Sequence, residues 1–148
     1  MPEQQTMERA RKDKAEGKSA STQAGEFVRE EMHHIREGKH GARSTKQAIA
    51  IGLSKARRAG VKLPPPKRGT SSASIQRQAK RDYRKGQAHA ARHPSRRRSR
   101  ATLKALHREP HSAASHRSLS RQAHGAARRR SHAQRSASAR KAARRRAH

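Results

Sequence analysis

No cysteine and no tryptophan occur in this chain of 148 residues, and phenylalanine and tyrosine occur once each. Without cysteine there can be no disulfide framework, no thiolate metal site and no cysteine nucleophile, and a reducing compartment is the default setting. Acids are scarce as well: ten Asp and Glu stand against 39 Lys and Arg, for a formal net charge of +29. The longest unbroken apolar run is Ala48 to Leu53, six residues, where a bilayer span needs roughly 20. Acidic residues occupy the amino end where a signal peptide has an apolar segment. These absences predict a soluble, unsecreted, cytoplasmic protein without a membrane partner. Hydrophobic residues make up 29% and aromatics 1%, too little apolar surface to offset the entropy of ordering the whole chain. One small ordered unit is therefore expected, with disorder elsewhere.

What is abundant is positive charge, and it is unevenly placed. Residues 1–37 hold seven Lys or Arg against eight Asp or Glu, whereas residues 38–148 hold 32 against Asp82 and Glu109 alone. Such asymmetry reads as a basic arm for a polyanion attached to something else.

Helix punctuation marks the amino-terminal part. A first weak helix spans Glu3 to Glu16 and ends at Gly17. A second starts at the cap candidates Ser21 and Thr22 and runs to Glu37, because Ala24, Phe27, Val28, Met32 and Ile35 recur at three- and four-residue spacing. A third, "KQAIAIGLSKARRAG" at 46–60, opens on a capping box of Ser44 with Gln47 and closes at Gly60, with Val61 folding back on Ala56. Ile51 lies off the face of Ile49 and Leu53, which suggests a second buried side and self-association through the head. "PPP" at 64–66 then forbids helix.

"STQAGEFVREEMHHIREGKHGARSTKQAIAIGLSKARRAGVKLPPP", residues 21–66, resembles a block found in a family of small uncharacterised bacterial basic proteins loosely labelled DNA-binding or plasmid stabilisation proteins. The resemblance implies a bacterial source and an association with nucleic acid, and it carries no catalytic motif. The remainder is similar in composition only to linker-histone-like and protamine-like tails.

From Pro64 onward there are 20 Arg and five Lys against two acids, with Ile75, Tyr83, Leu103, Leu106 and Leu119 as the large apolar residues. Segment limits are visible: Ser72 or Ser74 to Lys85, Pro94 with Ser95 to Arg108, and Pro110 with Ser112 to Arg130. Arg and Ala are good helix formers, so mutual repulsion is the obstacle to helix and a polyanion would remove it. The predicted fold is accordingly mostly α: a small N-terminal helical hairpin of two to three helices at 1–63, a Pro/Gly/Ser linker at 64–71, and a largely disordered, conditionally helical Arg/Ala/Ser-rich tail at 72–148.

Guanidinium groups bind phosphate bidentately, so the candidate nucleic-acid contacts are the clustered cations. They are Arg77, Lys80, Arg81, Arg84 and Lys85; Arg96, Arg97, Arg98 and Arg100; Arg128, Arg129 and Arg130; and Arg140, Lys141, Arg144, Arg145 and Arg146. Lys55, Arg57 and Arg58 are further candidates. With Phe27 in a core and only Tyr83 left as a stacking platform, duplex DNA is favoured over single strands. The function predicted is a non-enzymatic, histone-like, nucleoid-associated protein that binds DNA without sequence preference. The alternatives are an RNA- or ribosome-associated basic protein and a protein-interaction adaptor. A recognition helix at Ser44 to Gly60 is disfavoured because "GKHGAR" is too long for the turn and the preceding helix is acidic.

His33, His34 and His40 with Glu30 and Glu37 sit at ion-pair spacing, and no fourth ligand is fixed beside them, so no metal and no cofactor is expected. The histidines further along act as conditional positive charges. No base, nucleophile or metal falls in a pattern that would make an enzyme.

Overall fold

Helix starts in this protein are built by serine. The computed structural model describes residues 2–88 and 95–147 and contains helices α1 (Gln4–Ala15), α2 (Ala20–Arg36), α3 (Thr45–Arg58), α4 (Ala73–Gln87), α5 (Arg96–His107), α6 (His116–Arg128) and α7 (His132–Arg146), with one 3-10 turn at Ser112–Ala114. Ser19, Ser44, Ser72, Ser95, Ser115 and Ser131 each accept a hydrogen bond from the backbone amide three residues on, at 3.2 to 3.4 Å. Each such cap satisfies one amide that the helix itself leaves orphaned.

Some caps fall where the pattern puts them and others do not. The α2 cap is Ser19, two residues before the expected Ser21. At α3 the Ser44 hydroxyl takes the Gln47 amide, but the Gln47 side chain reaches the amide of Arg43 at 2.7 Å, so the expected box is half made. The complete box is at Ser131 and Gln134, at the head of a helix beyond the last segment whose limits are visible in the sequence. Gly60 has φ +94, and Val61 donates to the Ala56 carbonyl at 3.1 Å, closing α3 as its sequence implies.

Two apolar clusters hold the head. Phe27 of α2 is fully buried with Ala10, Ala24, Ala56 and Val61, and Met7, Leu53 and Leu63 cover its margin. Further along α2, Met32 and Ile35 pack with Ala42 and Ala48, and here Ala113 and Ala114 from the far half of the chain complete the cluster.

That contribution overturns the expected small hairpin followed by a largely disordered, conditionally helical tail. Seven α-helices are spread along the whole described length, and no strand occurs among the described residues. Residues 64–71 link α3 to α4, but α4 and the segment around Ala113 pack back on the head. One face of α4 presents Ala79, Asp82 and Gly86 to α3. A Cβ on Gly86 would lie 1.8 Å from the Arg57 carbonyl oxygen, so only glycine allows the two backbones this approach. Beyond α5, the Thr45 hydroxyl donates to the Ala113 carbonyl at 2.6 Å and Arg36 Nε to the Ala114 carbonyl at 2.8 Å. The amides of Gly41 and Ala42 reach the carbonyls of Leu106 and Pro110 at 2.9 and 3.1 Å. Attachment therefore runs through small residues and backbone oxygens, which a count of large apolar residues does not register.

The side of α3 that Ile51 shares with Ser54 and Arg58, its i+3 and i+7 neighbours, is met by α4. An intramolecular helix thus occupies the side expected to meet a second copy. α5 and α7 bury no residue.

Asp82, 2% exposed, locks α4 to α3. It accepts from Ser54 Oγ at 2.7 Å and from Gln78 Nε2 at 3.1 Å, and lies 3.9 Å from Arg58 Nε. Asp82→Ala leaves the half-buried Ser54 donor without its acceptor and opens a gap in the α3–α4 contact, and we expect a loss of about 2 kcal/mol in urea unfolding with faster amide exchange confined to residues 73–87. Unchanged exchange in α4 would show that the helix is held by something else.

Candidate nucleic-acid interface

The stripe Ala79, Asp82, Gly86 that α4 buries leaves a second stripe facing solvent. Arg77, Lys80, Arg81 and Arg84 fall on it at three- and four-residue spacing, and they are exposed or half-exposed. They rim an open groove of about 710 Å³ whose floor includes Pro65 and Tyr83. The chain's one tyrosine thus lies among four of the predicted phosphate contacts, with Lys85 exposed beside them.

Arg96, Arg97, Arg98 and Arg100 are exposed along the first turns of α5. Three arginines and no acid in a first turn oppose the helix dipole, whose positive end lies there; a bound anion would relieve both charges at once. Arg128, Arg129 and Arg130 close α6, and Arg140, Lys141, Arg144, Arg145 and Arg146 ride on α7, exposed on every side. Pro94, expected to open α5, and the pair His89 and His93 lie outside the described residues.

The three further candidates on α3 behave differently. Arg57 is buried, and its guanidinium donates to the carbonyls of Leu63 and Pro64 at 3.2 and 3.3 Å; burial pulls its pKa down, with Asp82 pulling the other way. Lys55 is 19% exposed and lies 2.7 Å from Glu31 and 3.4 Å from Glu30. Arg58 is half-exposed, so of the three it alone presents its charge outward.

Acids are engaged locally. Arg9 pairs with Glu26 at 2.6 Å, and Lys18 with Asp13 at 2.7 Å and Glu16 at 2.8 Å, contacts that raise the Lys18 pKa. Among the described residues, none of the cations on α4 to α7 has a carboxylate within ion-pair distance. The charge on that half of the molecule is therefore uncompensated from within.

A separate polar cluster sits between α2 and the loop before α3. The expected helical neighbours do not pair: His34 Nε2 meets Glu3 at 2.8 Å rather than Glu30, His33 is exposed, and Glu37 pairs with Lys39 at 3.1 Å. The His34 and Lys39 contacts hold the Glu3 carboxyl below its usual pKa, and Glu37, then Glu3, raise that of Lys39. The buried centre is instead Glu31, which lies 2.9 Å from His40 Nε2 and 2.7 Å from Lys55 Nζ.

No helix among the described residues is long and apolar enough to cross a membrane. No curated protein and no solved structure matches the chain. Residues 11–68 match the model of a family of unknown function (DUF6496), so the similarity spans much of the head and stops short of the basic stripe on α4.

Proposed function

We propose that this is a non-enzymatic, histone-like, nucleoid-associated protein that binds duplex DNA through the phosphate backbone, without base readout. The observation that carries the reading is the outward stripe Arg77, Lys80, Arg81 and Arg84, fixed in place by the buried stripe of the same helix and free of acid partners. Cations held on a packed helix lose less conformational entropy on binding than cations on a coil, which favours affinity. The exposed arginines of α5 and α7 extend the same chemistry. α3, which a base-reading mode would place in the groove, is instead covered by α2, α4 and α6 and buries Thr45, and a single tyrosine provides little for stacking unpaired bases.

Density of charge bears on how DNA would be engaged. α7 is 15 residues long, about 22 Å at 1.5 Å per residue, and carries Arg135 with the five cations above. That is one charge per about 3.7 Å against one per about 1.7 Å of duplex. Several chains, or bridging between duplexes, would be needed to neutralise a stretch of DNA.

The test is a salt titration on random duplex. The triple change Arg77→Ala, Arg81→Ala and Arg84→Ala, on the solvent side of α4, should leave helicity intact and reduce the log–log salt slope by about 2.7. An unchanged slope would remove α4 from the interface. Displacement by structured RNA at far lower concentration than by duplex would favour the RNA-associated alternative instead.

A further inference from the structure

The geometry points to a zinc site formed by Glu31, His34 and His40. Glu31 and His34 are three residues apart on α2, hence on one face, and the turn after Gly38 brings His40 back beside them. One ligand atom from each residue lies within 4.8 Å of the others. Tetrahedral zinc with bonds of about 2.0–2.2 Å needs donors about 3.4 Å apart, a contraction within reach of side-chain rotation. Two imidazoles and a carboxylate are a zinc set, and they leave a fourth position for water or a further carboxylate.

The arrangement around His40 is the stronger argument. Its Nδ1 lies 3.0 Å from the Gly41 carbonyl oxygen, which can only accept, so Nδ1 carries hydrogen. In the neutral ring Nε2 is then a bare lone pair, and Glu31 Oε1 lies 2.9 Å from it, off the hydrogen-bond direction. Two acceptors this close require a compensating positive charge, a second proton or a metal ion. A carbonyl fixing Nδ1 while Nε2 faces the site is also the outer-shell pattern that orients metal-bound histidines.

Charge and burial favour a cation as well. Glu31 is 1% exposed, and neither of its oxygens has a partner with hydrogen-bond geometry. Glu30 is buried beside it, and Lys55 is one positive charge for these two carboxylates. Lys55 engages Glu31 through Oε2, which leaves Oε1 to a metal and places the ammonium where an outer-shell donor belongs. His34 and Glu30 border a cleft of about 240 Å³ that runs past Glu3 and Lys39, a path by which an ion could enter. A bound ion would tie the loop before α3 to α2, next to the amides that hold Leu106 and Pro110.

Titration calorimetry of the full chain with zinc chloride, beside thermal unfolding with and without the ion, tests this. One ion per chain is expected, with a melting rise of at least about 3 °C at 100-fold excess over Kd. His34→Gln and His40→Gln should each weaken binding at least about tenfold, while His33→Gln and the double change His107→Gln with His111→Gln, at exposed histidines, should not. His34 lies at the edge of the cluster, so its variant keeps the test open should His40→Gln fail to fold. No stoichiometric binding, or binding lost only with the exposed histidines, would overturn the site and identify the contact as a protonated ion pair alone.

Discussion

Replacing Gly41 with alanine should release α5, α6 and the segment between them from the head. A Cβ at Gly41 would stand 1.9 Å from the Glu109 carbonyl oxygen and 2.5 Å from its carbon. Both are backbone atoms, so no side-chain rotation can make room and residues 106–114 must move away. That motion breaks the bonds from the Gly41 and Ala42 amides to Leu106 and Pro110 and withdraws Ala113 and Ala114 from Met32 and Ile35. With the Thr45 and Arg36 bonds to the Ala113 and Ala114 carbonyls lost as well, four hydrogen bonds and two buried methyls together make about 4–6 kcal/mol, a large share of what a domain of this size has in hand. Urea unfolding should show that loss, and amide exchange should accelerate across α5 and α6 while α1 and α2 stay protected. Gly125→Ala is the control: a methyl there meets nothing closer than the tip of Arg129 at 3.7 Å, and inside α6 it should raise stability by up to about 1 kcal/mol. Equal behaviour of the two variants would mean that the 106–114 segment is not seated on the head.

Why the sequence shows the helices but not their assembly depends on what does the assembling. A serine cap followed by helix formers is a local pattern, and Ser44, Ser72 and Ser95 can all be read directly. The stripe of Phe27, Met32 and Ile35 is also legible, because large side chains at helical spacing have one economical use. Nothing comparable announces Ala113, Ala114, Gly86 or Gly41. In an Ala-rich chain an alanine that seals a core looks like one that faces water, and a glycine that admits a carbonyl looks like a turn. Two similar hexapeptides, "SIQRQA" at 74–79 and "SLSRQA" at 118–123, show the limit of local pattern: Ile75 is 52% exposed, whereas Leu119 packs against a core cluster. The same division holds at the candidate sites. Arg77, Lys80, Arg81 and Arg84 are a stripe by spacing alone, but that Lys55 and Arg57 face inward depends on where Glu31 and the Leu63 and Pro64 carbonyls arrive. The sequence reading sets His33, His34 and His40 beside Glu30 and Glu37 and passes over Glu31, whose three-residue spacing to His34 is the signal that could have found it; His40 joins them only through the turn at Gly38.

Deleting residues 131–148 should separate binding from stability more sharply than any substitution. α7 buries nothing, and none of its residues belongs to either core cluster, so its loss removes no packing and relieves mutual repulsion among Arg135, Arg140, Lys141, Arg144, Arg145 and Arg146. The melting temperature should hold or rise slightly. Binding to duplex should suffer heavily, because six cations that each displace a condensed counterion contribute about 5 to the log–log salt slope. The ratio of full-length to truncated affinity should therefore shrink by about 10³ between 50 and 200 mM salt, a dependence that loss of a hydrophobic or base-specific contact would not produce. Circular dichroism adds a second reading: truncation should lower the helical signal without DNA by the share of those 15 residues. Truncated and full-length chains that bind equally at low salt would take α7 out of the interface and leave α4 and α5 to hold the phosphates alone.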